Sequence, residues 1–238
     1  MKSSRHMKEK LFGSKHARKT LRTFIEKEYG AAADLVWNKT IEKFKNFVEN
    51  APDYGGKKSP HFTQIYDAML LLAFCSTAPK EHTIEELEPI SFEIFMSAFN
   101  VLGKIFSAKR KWTMDLLSVI FKASLDKDNK HAESFPADFA GACEPYDKKN
   151  GVVRYCFTRC PLADFVKAND LGKWMPLMCN CDHTGLGKIH AGLIREGTCY
   201  TTDQCDYCIV SEDNPLKQQY ELVRNKDGLL ISRKRQQK

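Results

Sequence analysis

The sequence has no apolar run of the roughly 18 residues that a membrane-spanning helix needs. Its longest apolar stretch, residues 68–74, is short and predicts a buried helix instead. Residues 1–20 are basic and polar and contain no apolar segment typical of a secretory signal. These absences predict a cytoplasmic protein without a membrane partner, in a reducing compartment where lasting disulfides are uncommon.

A nucleic-acid-binding surface is not expected either, although the formal net charge is +7. The excess positive charge falls in residues 2–22, 109–111 and 233–238, without interleaved aromatic residues or a recognisable binding module. Internal repeats and low-complexity tracts are also missing. A chain of 238 residues can bury a sizeable core, and a small molecule is the partner that we expect. The sequence leaves the oligomeric state open.

Cysteine, by contrast, is abundant, with nine in the chain. Seven of them crowd the C-terminal part: Cys156, Cys160, Cys179, Cys181, Cys199, Cys205 and Cys208. An odd count and a reducing compartment argue against complete disulfide pairing. The cluster therefore consists of small packing residues, of metal or iron–sulfur ligands, or of active-site thiolates. Cys75 and Cys143 fall in an apolar helix and a strand, where packing is the expected role.

The spacing of apolar residues predicts an α+β fold with an N-terminal helical bundle followed by an antiparallel sheet with two short helices. In the first half, the predicted helices begin with residues 17–48, with a break near Gly30, and with a helix from Ser59-Pro60 to about residue 75. A capped helix begins at residue 83, is reset by Pro89 and continues from 91 to about 106. A helix over 112–125 and a charged linker over 126–133 follow. The second half is predicted as a hairpin of 139–145 and 152–157, helices 161–169 and 174–190, a hairpin of 192–201 and 205–211, and a last hairpin within 220–232. These elements divide the chain into a basic tail (1–16), a helical region (17–125), a cysteine-rich α+β module (135–212) and a C-terminal tail or hairpin (213–238).

The spacing within the cluster favours one cysteine from each segment. Cys205 and Cys208 have the spacing of a zinc knuckle, but a second pair at that spacing is missing. Cys179 and Asp182 are three residues apart and share a helical face, with His183 beside them. Cys160, Cys205 and Asp206 complete the candidate set.

Cys160 stands just before Pro161 at a predicted helix start, where free amides and the helix dipole would stabilise a thiolate. We therefore expect Cys160 to have the most depressed pKa of the nine thiols. Cys75, on an apolar helix, should have a raised one because burial disfavours the charged form. Cys181, Cys199 and Cys208 fall on other faces and are expected to pack as small hydrophobic residues.

Three segments together resemble a known family. Residues 153–161 (VRYCFTRCP) resemble the strand running into Cys-Pro of the 2-aminothiazoline-4-carboxylate hydrolases, and residues 177–182 (LMCNCD) are similar to their apolar-Cys-x-x-Asp segment. Residues 203–207 (DQCDY) look like the closing Cys-Asp-aromatic strand of that family. The order and separations fit from about residue 139 to 210. Thr202 replaces a glycine that is usual in the family, and Cys156, Cys181 and Cys208 are additional.

The resemblance implies a hydrolase that opens a small cyclic amidine at a carbon–nitrogen bond in a pocket of cysteines and aspartates. Asp182 or Asp206 would hold the protonated amidine, a thiolate of Cys160 or Cys179 would attack its carbon, and His183 would move protons. Arg154 and Arg159 are candidates for binding a substrate carboxylate.

Two alternatives remain open at this point. Cys160, Cys179, Cys205 and Asp182 would be ligands in a thiol-ligated metal or iron–sulfur protein with a redox or sensing role, and zinc or iron would be the metal. A pocket that binds a carboxylated heterocycle without turning it over is the other alternative.

Overall fold

The computed structural model describes residues 13–236, so residues 1–12 of the predicted basic tail lie outside the described residues. The first half of the described chain is helical. Its helices are α1 (Lys15–Tyr29), α2 (Ala33–Asn50), α3 (Phe62–Thr77), α4 (Ile84–Met96), α5 (Ala98–Ile105) and α6 (Lys111–Ser134). The second half combines a four-stranded sheet, a two-stranded sheet and short helices, which confirms the predicted α+β class.

Helix α1 is fixed at both ends by local chemistry. The Ser14 hydroxyl accepts a hydrogen bond from the Ala17 amide (3.0 Å), and the Ser14 amide donates to buried Asp67 of α3 (2.6 Å). The helix ends at Gly30, whose φ of 50° suits a residue without Cβ. The predicted break near Gly30 is confirmed.

Helix α3 forms the centre of the bundle. Every side chain from Ile65 to Phe74 is buried, as expected for a helix that is apolar on all sides. The helix begins at Phe62, two residues after the start signal at Pro60, and the capping box between Thr83 and Glu86 opens α4 as predicted.

Pro89 does not interrupt α4, which contradicts the predicted reset of the helix. A proline removes one main-chain donor, but α4 is anchored on both sides of it. The capping box fixes its start, and buried Ser91 donates its hydroxyl to the carbonyl of Leu177. The interruption comes instead at Ser97, between α4 and α5.

The predicted linker over residues 126–133 was wrong, because α6 continues through it to Ser134. Leu125, Asp128 and Ala132 are buried on successive turns of this helix. Two of these three are apolar, but the middle one is an aspartate, so the sequence of the segment shows mostly charged and polar residues. A buried carboxylate thus concealed the helical period.

The four-stranded sheet has the order β1-β2-β4-β3, with every neighbouring pair antiparallel. Its strands are β1 (Ala140–Cys143), β2 (Val153–Arg159), β3 (Ala191–Ile194) and β4 (Cys205–Ser211). The register of β2 and β4 pairs Tyr155 with Tyr207 and Phe157 with Cys205. Strand β4 therefore lies beside β2, the strand that leads to Cys160.

Three short helices connect the strands: α7 (Pro161–Ala168), α8 (Met175–Cys179) and α9 (Cys181–Lys188). The helix predicted over 174–190 is thus interrupted at Asn180. The Asn180 side chain donates to the Gly228 carbonyl (3.2 Å) and accepts from the Leu230 amide (2.8 Å). This side chain ties the junction of α8 and α9 to the C-terminal hairpin.

The C-terminal hairpin predicted within 220–232 is present. After α10 (Pro215–Gln218), strands β5 (Tyr220–Arg224) and β6 (Leu230–Lys234) form a separate antiparallel pair. The Ser232 amide donates to the Arg195 carbonyl (2.7 Å), so β6 also supports the end of β3. Within residues 13–236, every helix is too short or too polar to cross a membrane.

Candidate active site

Three neighbouring cavities lie where the helical half meets the four-stranded sheet. We call them the helical cavity (about 270 Å³), the aromatic cavity (about 180 Å³) and the thiol cavity (about 60 Å³). His61 and Gln64, at the start of α3, line all three. The aromatic and thiol cavities also share Phe157, Asp182 and Tyr207. Together they form a concave site of the size expected for a small molecule.

The thiol cavity collects cysteines from four places in the sequence: Cys160 before α7, Cys179 at the end of α8, Cys199 after β3 and Cys205 at the start of β4. Asp182 of α9 lines the same cavity. Four of the six predicted site residues, Cys160, Cys179, Asp182 and Cys205, are therefore close together. Cys199, expected to pack on another face, is an addition to that set.

Arg195, which follows β3, is completely buried and holds Asp182 in place. One terminal nitrogen, Nη1, donates to Asp182 Oδ2 (2.8 Å), and Nη2 donates to the Cys179 carbonyl (2.9 Å). Tyr207 donates its hydroxyl to the same Asp182 oxygen (2.7 Å). Both hydrogen bonds that the described residues give Asp182 end on Oδ2, so Oδ1 is the oxygen left for a bound molecule.

Aromatic rings form the wall of the aromatic cavity. Tyr155 and Tyr207 are stacked with their centroids 4.6 Å apart, because β2 and β4 place them side by side. Phe121 of α6 stacks on Tyr155 at 5.0 Å. Asp182 and Asp128 are the carboxylates of this cavity, so a planar cation would find both π-faces and negative charge there.

His61 and Asp128 form an ion pair at the edge of the cavities. His61 Nε2 lies 3.0 Å from Asp128 Oδ1, and the Asp128 side chain is 1% exposed. The other ring nitrogen, Nδ1, lies 2.9 Å from Gln64 Oε1. Burial lowers the pKa of His61, but the hydrogen-bonding and charge effects of Asp128 outweigh it and raise that pKa overall.

Burial governs the protonation of the residues around the thiol cavity. It raises the pKa of Asp182, although Arg195 and Tyr207 act in the opposite direction. It also raises the pKa of Cys205 to about 12, against the charge of Arg195. A carboxyl group with a shifted pKa in a cavity is a candidate functional group.

The prediction that Cys160 has the most depressed pKa was wrong. Cys160 does stand at the start of α7, and the Ala163 amide favours its thiolate. Burial dominates, however, and raises the pKa of Cys160 well above its ordinary value. The raised pKa predicted for Cys75 agrees with the structure.

Two of the predicted site residues lie outside the three cavities. His183 points its Nε2 at the Leu230 carbonyl (3.2 Å), and burial and Arg195 lower its pKa to about 3. That value does not suit proton transfer near neutral pH. Asp206 accepts hydrogen bonds from the Glu196 and Gly197 amides (3.0 and 2.6 Å), so it shapes the turn after β3.

The predicted carboxylate-binding arginines also lie elsewhere. Arg159 donates to the Asp138 carbonyl (2.7 Å), and Arg154 is exposed near Glu144.

Sequence reasoning missed Arg195, His61 and Asp128. Arg195 directly follows the apolar strand Ala191–Ile194, and a charge at that position was a usable signal. His61 follows the helix start at Ser59-Pro60, but nothing in the sequence pairs it with a residue 67 positions away. Asp128 lay in the segment taken for a linker.

The predicted metal-ligand set does not form a metal centre. In the part of the chain that the structure describes, no three His, Cys, Asp or Glu side chains come together in a way that could hold a metal ion. All nine cysteines are free thiols. The metal alternative therefore gains no support from the positions of these side chains.

The fold and the site define an α+β protein with a small cavity lined by thiols and a buried carboxylate. A family model for L-2-amino-thiazoline-4-carboxylic acid hydrolase matches residues 65–209, which is more than half of the chain. The chain belongs to this family, and membership supports a hydrolase that acts on a thiazoline-type substrate. No curated protein and no solved structure gives a significant match.

Proposed function

We propose that the protein hydrolyses a small cyclic amidine of the aminothiazoline-carboxylate class, within the thiol and aromatic cavities. The observation that carries the proposal is the position of Asp182, which lines both cavities beside four thiols. Nine free thiols favour a reducing compartment such as the cytoplasm.

Asp182 is the group that we assign to the amidine. Its Oδ2 is held by Arg195 and Tyr207, and the side chain is 18% exposed, so it is fixed in place but reaches the cavity. A protonated amidine presents two N–H groups in one plane, and a carboxylate oxygen accepts such donors strongly. Binding of this cation would make the amidine carbon more electrophilic.

Of the two predicted nucleophiles, Cys179 is better supported than Cys160, and Cys205 is a further candidate. Arg195 lowers the pKa of Cys179 and of Cys205, whereas the main influences on the pKa of Cys160 are burial and neighbouring thiols. Burial still keeps all three protonated near neutral pH, so the attacking thiol must lose its proton as it reacts.

The substrate itself can take that proton. The thiol sulfur bonds to the amidine carbon, its proton passes to the ring nitrogen, and that nitrogen leaves as an amine when the ring carbon–nitrogen bond breaks. Water then adds to the same carbon, the thiol departs with its proton, and a carbamoyl product remains. If the ring carbon–sulfur bond breaks instead, the product carries a free thiol rather than a free amine. A thiol assay on the product distinguishes the two.

The test is turnover of 2-aminothiazoline-4-carboxylate by purified protein, followed by mass spectrometry. Single variants Asp182→Asn, Cys160→Ser, Cys179→Ser and Cys205→Ser address the cavity, and Cys143→Ser on β1, outside the cavities, is the matched control. We expect Asp182→Asn and at least one cavity thiol variant to lose turnover while remaining folded, and Cys143→Ser to keep it. Undiminished turnover in all four cavity variants would remove the proposal.

A further inference from the structure

We propose that the protein forms a two-fold symmetric dimer through an apolar face on helices α5 and α6, with α6 of one protomer antiparallel to α6 of its partner. Such a dimer goes beyond the proposed function and does not depend on it. The surface of these two helices supplies the signal for an oligomeric state that the sequence leaves open.

Exposed apolar side chains are concentrated on these two helices. Among the described residues, nine large apolar side chains are exposed, and two of them, Leu35 on α2 and Leu222 on β5, are isolated in the sequence. The other seven are Val101, Leu102, Ile105, Trp112, Leu116, Val119 and Ile120. Single exposed apolar residues are normal on a soluble protein, whereas a group of them marks an interaction surface.

The exposed apolar residues of each helix follow the helical period, so they form one stripe on α5 and one on α6. The apolar face consists of these two stripes: Ala98, Val101, Leu102 and Ile105 on α5, and Trp112, Leu116, Val119, Ile120 and Ala123 on α6. The ring of Phe106, directly after α5, lies 5.8 Å from the ring of Trp112, so the stripes adjoin at the turn between the helices.

Both helices are less covered than their sequences require. None of the eight described residues of α5 is buried, so the chain itself covers the apolar side chains of this helix only in part. The opposite side of α6 lines the aromatic cavity with Phe121 and Leu125, so α6 is apolar on two sides. A helix that is apolar on two sides is expected between two layers of protein rather than at a surface.

The apolar face is large enough for a stable dimer. Its seven large side chains are 36% to 64% exposed, which together leaves on the order of 600 Å² of surface in water. A monomeric protein rarely exposes more than a few hundred Å² of contiguous apolar surface. An interface of standard size buries about 800 Å² on each partner, and the apolar face with its charged edge supplies about that area.

The charged residues beside the α6 stripe fit a second copy of the chain. Lys111, Asp115, Lys122 and Asp126 lie along one edge of the stripe, within about 60° of one another around the helix axis. A two-fold axis near Ser118 places the same edges of two antiparallel helices side by side. Lys111 then comes opposite the partner subunit's Asp126, and Asp115 comes opposite the partner subunit's Lys122. Both contacts are attractive, and each is formed twice because the interface is symmetric.

Other occupants fit these charges less well. A parallel arrangement of two copies would place each charge opposite its own copy, and an anionic membrane surface would meet both aspartates. Within one chain, Lys122 Nζ lies 2.9 Å from Asp126 Oδ2, and Lys148 Nζ lies 3.6 Å from Asp115 Oδ2. The side chains of these two pairs are 39% to 66% exposed, so the pairs are weak and leave the charges available to a partner.

The apolar residues are complementary in the same antiparallel arrangement. Trp112, the largest side chain of the α6 stripe, comes opposite the partner subunit's Ala123, the smallest. Leu116 comes opposite the partner subunit's Ile120. A large residue that faces a small one lets two helices pack without voids, as in a protein core.

Sedimentation velocity of the full chain tests the dimer at protein concentrations from about 1 to about 100 µM. Val119→Glu places a carboxylate in the centre of the apolar face. Leu35→Glu is the matched control, because Leu35 is 60% exposed and Val119 is 64% exposed. We expect wild type and Leu35→Glu to sediment as dimers. Val119→Glu should raise the dissociation constant by at least about a hundredfold, because the interface would bury two unpaired carboxylates.

An exchange of charges tests the antiparallel arrangement. Lys111→Glu alone and Asp126→Lys alone each place like charges opposite each other twice, and each should raise the dissociation constant by about tenfold. The double variant with both changes restores two attractive pairs, so its dissociation constant should return to within about threefold of the wild-type value. Circular dichroism verifies that each variant is folded.

A wild type that stays monomeric at about 100 µM, or a dimer that Val119→Glu leaves intact, would overturn the inference. Single charge variants whose effects add in the double variant would overturn the antiparallel arrangement. If Val119→Glu does not fold, the charge exchange decides alone. A monomeric wild type that binds vesicles of phosphatidylglycerol, with binding lost in Val119→Glu, would assign the apolar face to a lipid surface and reject the dimer.

Discussion

The helical half and the sheet half each hold a partly buried histidine, and the net pKa shifts of the two are opposite. His61 faces Asp128 and Asp138, which raise its pKa in spite of desolvation. His183 faces Arg195, which adds to desolvation and lowers its pKa to about 3. Acidic neighbours favour the protonated form of one histidine, and a basic neighbour favours the neutral form of the other. Burial lowers the pKa of both histidines, and the charge of the neighbouring groups decides whether the net shift is upward or downward.

The same contrast applies to the structure as a whole. In the sheet half, Arg195 connects Asp182, the Cys179 carbonyl and, through its own main chain, the C-terminal hairpin. In the helical half, the centre is helix α3, whose buried side chains are apolar or aromatic except for Asp67. The stability of the sheet half should accordingly depend on one ionic centre, and the stability of the helical half should depend on hydrophobic packing.

The largest effect is expected from Arg195→Met, which removes that ionic centre. The substitution leaves Asp182 in a largely buried position without its cation, a change that typically costs about 3–5 kcal/mol. Urea unfolding should show this loss of stability, and turnover should disappear with it. The matched control Arg154→Met changes an arginine whose side chain is 45% exposed, and its free energy of unfolding should change by about 0.5 kcal/mol at most. Similar losses in the two variants would mean that Arg195 is not the centre of the sheet half.

The second prediction distinguishes the two histidines by the free energy of unfolding measured at a series of pH values. His183 has a folded-state pKa of about 3, below the unfolded value of about 6.5, so its neutral form contributes stability that is complete above pH 6.5 and declines as the pH falls. The decline should approach about 1.4 kcal/mol per pH unit while the protein remains folded. His183→Gln should flatten this acid side of the stability curve.

His61 should behave in the opposite way. Its folded-state pKa is raised, so its contribution is complete below the unfolded pKa and is lost as the pH rises through the folded value. His61→Gln should therefore flatten the neutral side of the curve and leave the acid side unchanged. Both variants are compared by urea unfolding at half-unit steps from pH 4.5 to 8.5. Curves that change on the same side would contradict the contrast between the two halves.

Much of the fold could be predicted from the sequence because its signals are local. The capping box at Thr83, the break at Gly30 and the Asn-Gly turn at 150–151 each depend on a few adjacent residues. The thiol cavity was partly predictable for a related reason, since the motifs around Cys160, Cys179 and Cys205 are each a short run of adjacent residues. Their resemblance to one family implied a common pocket, and the structure places the three cysteines around one cavity.

The missing part of the site is the part that depends on distant residues. Asp128 meets His61 across 67 positions, and it occupies a buried position of α6 where the pattern would require an apolar residue. The protonation of Cys160 was mispredicted because the helix start is visible in the sequence and the burial around it is not. Local rules identify what a segment does, whereas desolvation and pairing depend on what the fold packs against it.

The smallest expected difference concerns Cys75 in the helical half and Cys160 in the sheet half. A helix-start thiolate at Cys160 would react far faster than a buried core thiol, but burial raises the pKa of both. Brief iodoacetamide treatment near neutral pH, followed by mass spectrometry of the digest, should label the two at rates within a few-fold of each other. Unfolding in urea should remove the protection of both and serves as the control. Labelling of Cys160 that is a hundredfold faster in the native protein would show that the amides of α7 prevail over burial, and it would restore Cys160 as the favoured nucleophile.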